Sequence, residues 1–154
     1  MKKLMIIASC ALLLLAAGCK NDPESLFGKE NKPGWQKPSQ YDYSSSMTAV
    51  VRIDLRSQYG TLAVEHQVES TDVLAAFIGD KCCGVVNPTD SIFYLFVADV
   101  ASNTNATERK VSLRYWSAYY RNIFIANEVF TFVNDSRLGD ADHPIVPKFV
   151  KKEN

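Results

Sequence analysis

The chain has 154 residues, enough for one domain with its own core, and 47% of them are apolar and 11% aromatic. Lys plus Arg and Asp plus Glu each number 17. That balance excludes a basic field for nucleic acid and an acidic tail, and the apolar content excludes a disordered chain.

Lys2 and Lys3 precede an apolar run from Met5 to Leu15. The run is too short to cross a bilayer as a helix and has the layout of a signal peptide. It leads into Leu15-Ala16-Ala17-Gly18-Cys19, which resembles the lipobox of bacterial lipoproteins. One departure is that Leu15 stands four residues before Cys19 rather than three. The resemblance implies that residues 1–18 are removed and that Cys19 carries a diacylglyceryl thioether. Several acyl chains anchor far more firmly than one, since each buried CH₂ adds about 0.8 kcal/mol. Lys20 after the Cys resembles lipoproteins passed on to the outer membrane. Asp22 and Glu24 resemble acidic export signals of surface-exposed lipoproteins in some Gram-negative anaerobes.

Residues 19–40 carry Pro23, Pro33, Gly34 and Pro38 among charges, and read as a tether holding a domain, 41–154, off the membrane. Trp35 is the exception: it either docks on the domain edge or stands free as a ligand platform. From Met47 the pattern alternates, with Met47, Ala49, Val51, Ile53 and Leu55 on one face of a half-buried strand. Thr61 to Val68 is a weaker strand. Val73–Ile78 and the run ending at Val86, split by Gly79-Asp80, predict a mostly buried β-hairpin.

Ile92 to Val97 is aromatic and β-branched, another buried strand, and 101–108 is a polar loop. Lys110 to Ser117 alternates, with Val111, Leu113 and Tyr115 on one face and Lys110, Arg114 and Trp116 on the other. Residues 119–122 read as a hairpin tip. Residues 123–133 form one bent strand or two, 134–143 an acidic loop, and Ile145 to Val150 a closing strand. No stretch carries an apolar stripe of helical length. About seven to nine short strands at this spacing predict an all-β sandwich.

Together, Tyr41-x-Tyr43-Ser44, Met47-Thr48-Ala49-Val50-Val51 and Ala76-Phe77-Ile78-Gly79-Asp80-x-Cys82-x-Gly84 are similar to a β-sandwich module of lipoproteins and secreted proteins from Gram-negative anaerobes. Phe93-Tyr94-Leu95, Val111 to Tyr115, Phe130-x-Phe132 and Asp135-Ser136-x-x-Gly139 extend the similarity over residues 35–149. The resemblance implies an extracytoplasmic, Ig-like two-sheet fold and no transferable activity. Cys83 departs from the family pattern.

Adjacent strand residues face opposite ways, so Cys82 is expected to be a small buried hydrophobe and Cys83 a free thiol on the other side. No nucleophile motif surrounds either, and His66 and His143 lie far away in sequence. Cys/His metal spacing is absent; Asp135, Asp140 and Asp142 offer oxygen ligands but not at EF-hand spacing. Trp116, Tyr119, Tyr120 and Arg121 suit stacking and hydrogen bonding to a sugar, unless Trp116 packs beneath a neighbouring strand or the Trp35 tether.

The expectation is a non-catalytic outer-membrane lipoprotein, lipidated on Cys19, without cofactor or metal. Its binding or adhesion module would meet a glycan through Trp116, Tyr119, Tyr120 and Arg121. The alternative is a structural or accessory subunit of a cell-surface assembly, meeting a protein partner at an exposed strand edge.

Overall fold

The computed structural model describes residues 28–60, 67–100 and 109–152. The signal peptide and Cys19, residues 61–66 of the strand expected over Thr61 to Val68, and the loop 101–108 lie outside the described residues; Gln67 and Val68, the end of that segment, are not in a strand. Among the described residues eight strands form two sheets: β1 Ser46–Arg52, β2 Val73–Ile78, β3 Lys81–Val86, β4 Ile92–Ala98, β5 Lys110–Ser117, β6 Asn122–Thr131, β7 Arg137–Leu138 and β8 Phe149–Lys151. One sheet runs β4-β1-β7 and the other β3-β2-β5-β6-β8. The protein is an all-β sandwich.

The core lies between the inner faces. Met47, Ala49 and Val51 from β1, with Ile53 and Leu55 just beyond it, are all buried, so the alternation of that segment holds. They meet Leu74 and Ala76 of β2, Leu113 and Tyr115 of β5 and Phe124 of β6. Burial of each large apolar side chain stabilises the fold by about 1.5–3 kcal/mol. The β2–β3 hairpin closes as expected, with Ile78 opposite Lys81. Gly79 at the first turn position has φ +60°, the conformation that glycine adopts without a Cβ penalty.

A buried acid laces the five-stranded sheet together. Asp72, just before β2, accepts hydrogen bonds from the Tyr115 hydroxyl, from Ala118 N at 2.8 Å and from Glu69 N at 3.1 Å. Burial raises its carboxyl above the ordinary value of 3.8, although these donors pull the other way. Burial beside Asp72 also holds the Tyr115 hydroxyl protonated well above its usual range. A second buried acid, Asp99 after β4, pairs with Arg109 and accepts from Ser45 Oγ at 3.0 Å.

Several expectations need correction. The cysteines are reversed: Cys83 is fully buried in the core, and Cys82 is half-buried on the outer face. The two-residue turn places Cys82 opposite Phe77, an outward residue. A register shift then leaves Cys83 as an extra inward residue before Gly84 pairs with Ala76. Of the two readings of residues 123–133, the single strand is the one found, Asn122–Thr131, with a bulge where Ser112 pairs Val129 and Arg114 pairs Ile125.

The closing segment is split. Ile145 bridges Val51 of the first sheet, and only Phe149–Lys151 join β6 of the second. The acidic loop contains β7, parallel to β1. After β1 comes a four-residue helix, α1 Arg56–Tyr59, whose Tyr59 hydroxyl accepts from Lys151 N at 2.6 Å. Among the described residues no helix is long and apolar enough to cross a membrane.

Candidate functional site

The aromatic residues expected to form a platform do not share a surface. Trp116 points outward from β5, between Val73 of β2 and Ile123 of β6, as the alternation requires. It is nevertheless only 7% exposed. Tyr120 turns inward at the sandwich end, 1% exposed, against Phe124 and Tyr119 at ring separations of 6.0 and 4.9 Å. Tyr119 is half-buried and Arg121 is exposed. Arg121 sits in the left-handed region, and its carbonyl accepts from Glu30 N at 2.7 Å.

Trp116 is covered by the segment 28–38, the second half of the stretch read as a tether. This strap lies against the outer face of the five-stranded sheet. Asn122 Nδ2 donates to Gly28 O at 3.1 Å, and Lys32 Nζ donates to Thr71 O at 3.3 Å. The Lys32 ammonium stands 5.6 Å from the Trp116 ring. Further along, Trp35 meets Phe77 edge-on at 5.8 Å, while the Arg114 guanidinium lies 3.8 Å from the same Phe77 ring. Such cation–aromatic contacts contribute about 0.5–2 kcal/mol each, according to their exposure. Trp35 thus docks on the domain, and β2 is buried on both faces. Among the described residues the indole N–H of Trp116 has no hydrogen-bond partner beneath the strap.

The open aromatic surface lies elsewhere, where the two sheets meet at their edges. On β4, Phe93, Leu95 and Val97 face the core while Tyr94 and Phe96 face out, 48% and 45% exposed. Phe96 stands 5.5 Å from the Tyr43 ring. Across from β4 runs β3, so close that a Cβ on Gly84 would sit 2.2 Å from the Phe96 carbonyl oxygen. Only glycine permits that approach. Between them opens a cleft of about 270 Å³. Tyr43, Tyr94 and Phe96 supply its aromatic walls, Val85 and Val86 an apolar side, and Lys37 of the strap the one charged group among the described residues of its lining.

This cleft escaped the sequence reading because Ile92 to Val97 read as buried throughout. A signal was present: aromatic residues occupied the alternate positions, where a one-faced strand carries polar side chains.

Burial pushes the Cys83 thiol up to about 12 and also raises that of Cys82, which disfavours the reactive thiolate in both. Asp140 Oδ1 accepts from His143 N and Asp142 N at 2.7 and 2.9 Å, and these bonds hold its carboxyl below the usual range. Among the described residues no group of three or more His, Cys, Asp or Glu is placed to hold a metal ion.

Compared with known proteins, the chain matches no family model, no curated protein and no solved structure.

Proposed function

We propose that this chain is a non-catalytic lipoprotein, anchored through Cys19 at the outer membrane and exposed at the cell surface. Its sandwich acts as a binding module for a glycan. The site is the β3–β4 cleft rather than the Trp116, Tyr119, Tyr120 and Arg121 set, because Trp116 is covered and Tyr120 lies in the core. One observation carries the reading: two large aromatic side chains of one strand stay nearly half exposed and, with Tyr43, flank a formed cleft. Aromatic faces offer a flat apolar partner to the C–H face of a sugar ring, and tyrosine hydroxyls donate to or accept from its hydroxyl groups. The module resembles the Ig-like modules of Gram-negative anaerobes in its sequence motifs.

A second reading, an accessory subunit of a surface assembly, is favoured by one feature. β8 pairs with β6 only along Phe124–Ala126, while Val129 further along β6 is exposed.

The test is a glycan array probed with the full chain in detergent, beside Tyr94→Ala and Phe96→Ala. Saturable binding lost in both variants at unchanged melting temperature supports the binding module. No binding across neutral and acidic glycans, with one protein cross-linked on cells by wild type and Tyr94→Ala alike, moves the conclusion to the assembly subunit.

A further inference from the structure

The lining of the cleft points to the class of sugar. Among the described residues it carries one cation, Lys37, and no carboxylate; the others are aromatic, aliphatic, proline or glycine. Among the described residues no acid pairs with Lys37. Two acids adjacent in sequence to lining residues, Asp42 beside Tyr43 and Asp99 beside Ala98, are already engaged. Asp42 accepts from Ser39 N at 3.1 Å, and Asp99 is held by Arg109 and Ser45.

Lys37 is also not a free-swinging surface lysine at its backbone. Trp35, two residues earlier, is docked on Phe77, and Pro38, directly after it, fixes its own φ and forms part of the cleft wall. The ammonium therefore stems from a strap segment fastened two residues earlier at Trp35 and stiffened by Pro38.

We infer that the ligand is an acidic glycan whose sugar carboxylate is received by Lys37, while its ring stacks on Tyr94 and Phe96. This rests on the reading of the cleft as a glycan site. A uronic acid has the required shape: the carboxylate is attached at the ring edge, so a ring lying flat on the aromatic wall projects its charge sideways toward the strap. Lys37 is exposed and solvated, and a neutral sugar would make no use of it. A free phosphate would leave the aromatic walls unused.

The experiment is calorimetric titration of the full chain in detergent with two acidic tetrasaccharides, oligogalacturonate and hyaluronan, each beside its own carboxyl-methyl ester. The acids are expected to bind about tenfold tighter than their esters, as for a hydrogen bond to a charged group. Lys37→Gln should reduce acid affinity to that of the ester and leave the ester unchanged, while Lys37→Arg restores the preference. Phe96→Ala should weaken both forms together. Equal affinity for acid and ester overturns the acidic-glycan inference and leaves the glycan cleft standing. An acid preference that survives Lys37→Gln overturns the role of Lys37. Failure of all four probes overturns the acidic-glycan inference, and the glycan reading falls with it when the neutral glycans of the array also fail to bind.

Discussion

Trp116 on β5 and Phe96 on β4 hold equivalent places. Each is an outward aromatic on a strand whose inward neighbours are core residues, and each has a second chain segment nearby. Trp116 has the strap lying on it and is nearly excluded from water, whereas Phe96 has Tyr43 beside it and stays half open. The same residue class at the same strand position thus becomes a packing residue in one place and a candidate contact in the other. Strand alternation decides the face; the chain that crosses the face decides whether it is a site.

The sharpest way to break this comparison is a pair of truncations followed by urea unfolding. Trp116→Ala should cost about 3 kcal/mol, as expected for a buried aromatic. Phe96→Ala should stay within about 0.5 kcal/mol, as expected for a surface position. Equal losses would mean that the two faces are equally packed.

Gly84→Ala probes the open edge itself. The new methyl must meet the Phe96 carbonyl, a backbone group that cannot swing away, so β3 and β4 must part. A loss of about 2 kcal/mol is expected, in the range of overpacked sites. Because the variant also moves the cleft wall, a folded Gly84→Ala should bind its ligand more weakly than wild type at temperatures well below its melting point.

A smaller, pH-dependent effect belongs to the lacing under the covered face. The raised carboxyl of Asp72 means that, between its ordinary pKa of 3.8 and the raised one, the folded chain keeps a proton which the unfolded chain releases. Its stabilising contribution is complete below the ordinary value and is lost as pH rises through the raised one. Asp72→Asn lacks this contribution, so the advantage of wild type over the variant should shrink from acid toward neutral pH. A difference in melting temperature that instead grows toward neutral pH would show a carboxyl held below its ordinary value.

Much of the fold was legible because one-faced strands carry their register in their sequence. Met47 to Leu55 alternates, and the structure buries the residues on the expected face. Gly79-Asp80 marks the hairpin turn for the same local reason. The faces of Cys82 and Cys83 were not legible: all six residues of β2 are buried, so its sequence has no polar side to mark the outside. What makes β2 apolar on both faces is the strap, a Pro-containing segment without periodicity whose docking depends on Lys32 and Trp35. The cleft was hidden in turn because aromatic residues are strand formers whether covered or not. Their exposure follows from the near contact of Gly84 with β4 and from where the strap ends, and both are properties of the assembled chain.

The strap therefore supplies the last and finest test, one that changes exposure more than stability. Trp35→Ala removes a half-buried aromatic and should cost about 1 kcal/mol, less than a core truncation. The chain has two tryptophans, so the variant's fluorescence comes from Trp116 alone. If Trp35 is the main fastening of the strap, Trp116 emission should shift to longer wavelength than that of buried indole, and acrylamide should quench it more readily. Cys82, which faces the same side as Phe77, should react faster with a maleimide in Trp35→Ala than in wild type. Cys83, buried with its thiol pKa pushed up to about 12, should remain unlabelled in both until the domain unfolds. Faster labelling of Cys83 together with Cys82 would mean that the substitution opens the whole sandwich. An unchanged Trp116 spectrum would mean that Lys32 and the backbone bonds at Gly28 and Glu30 hold the strap without Trp35. Labelling confined to Cys82 would establish that one aromatic contact keeps the second aromatic face of this molecule closed.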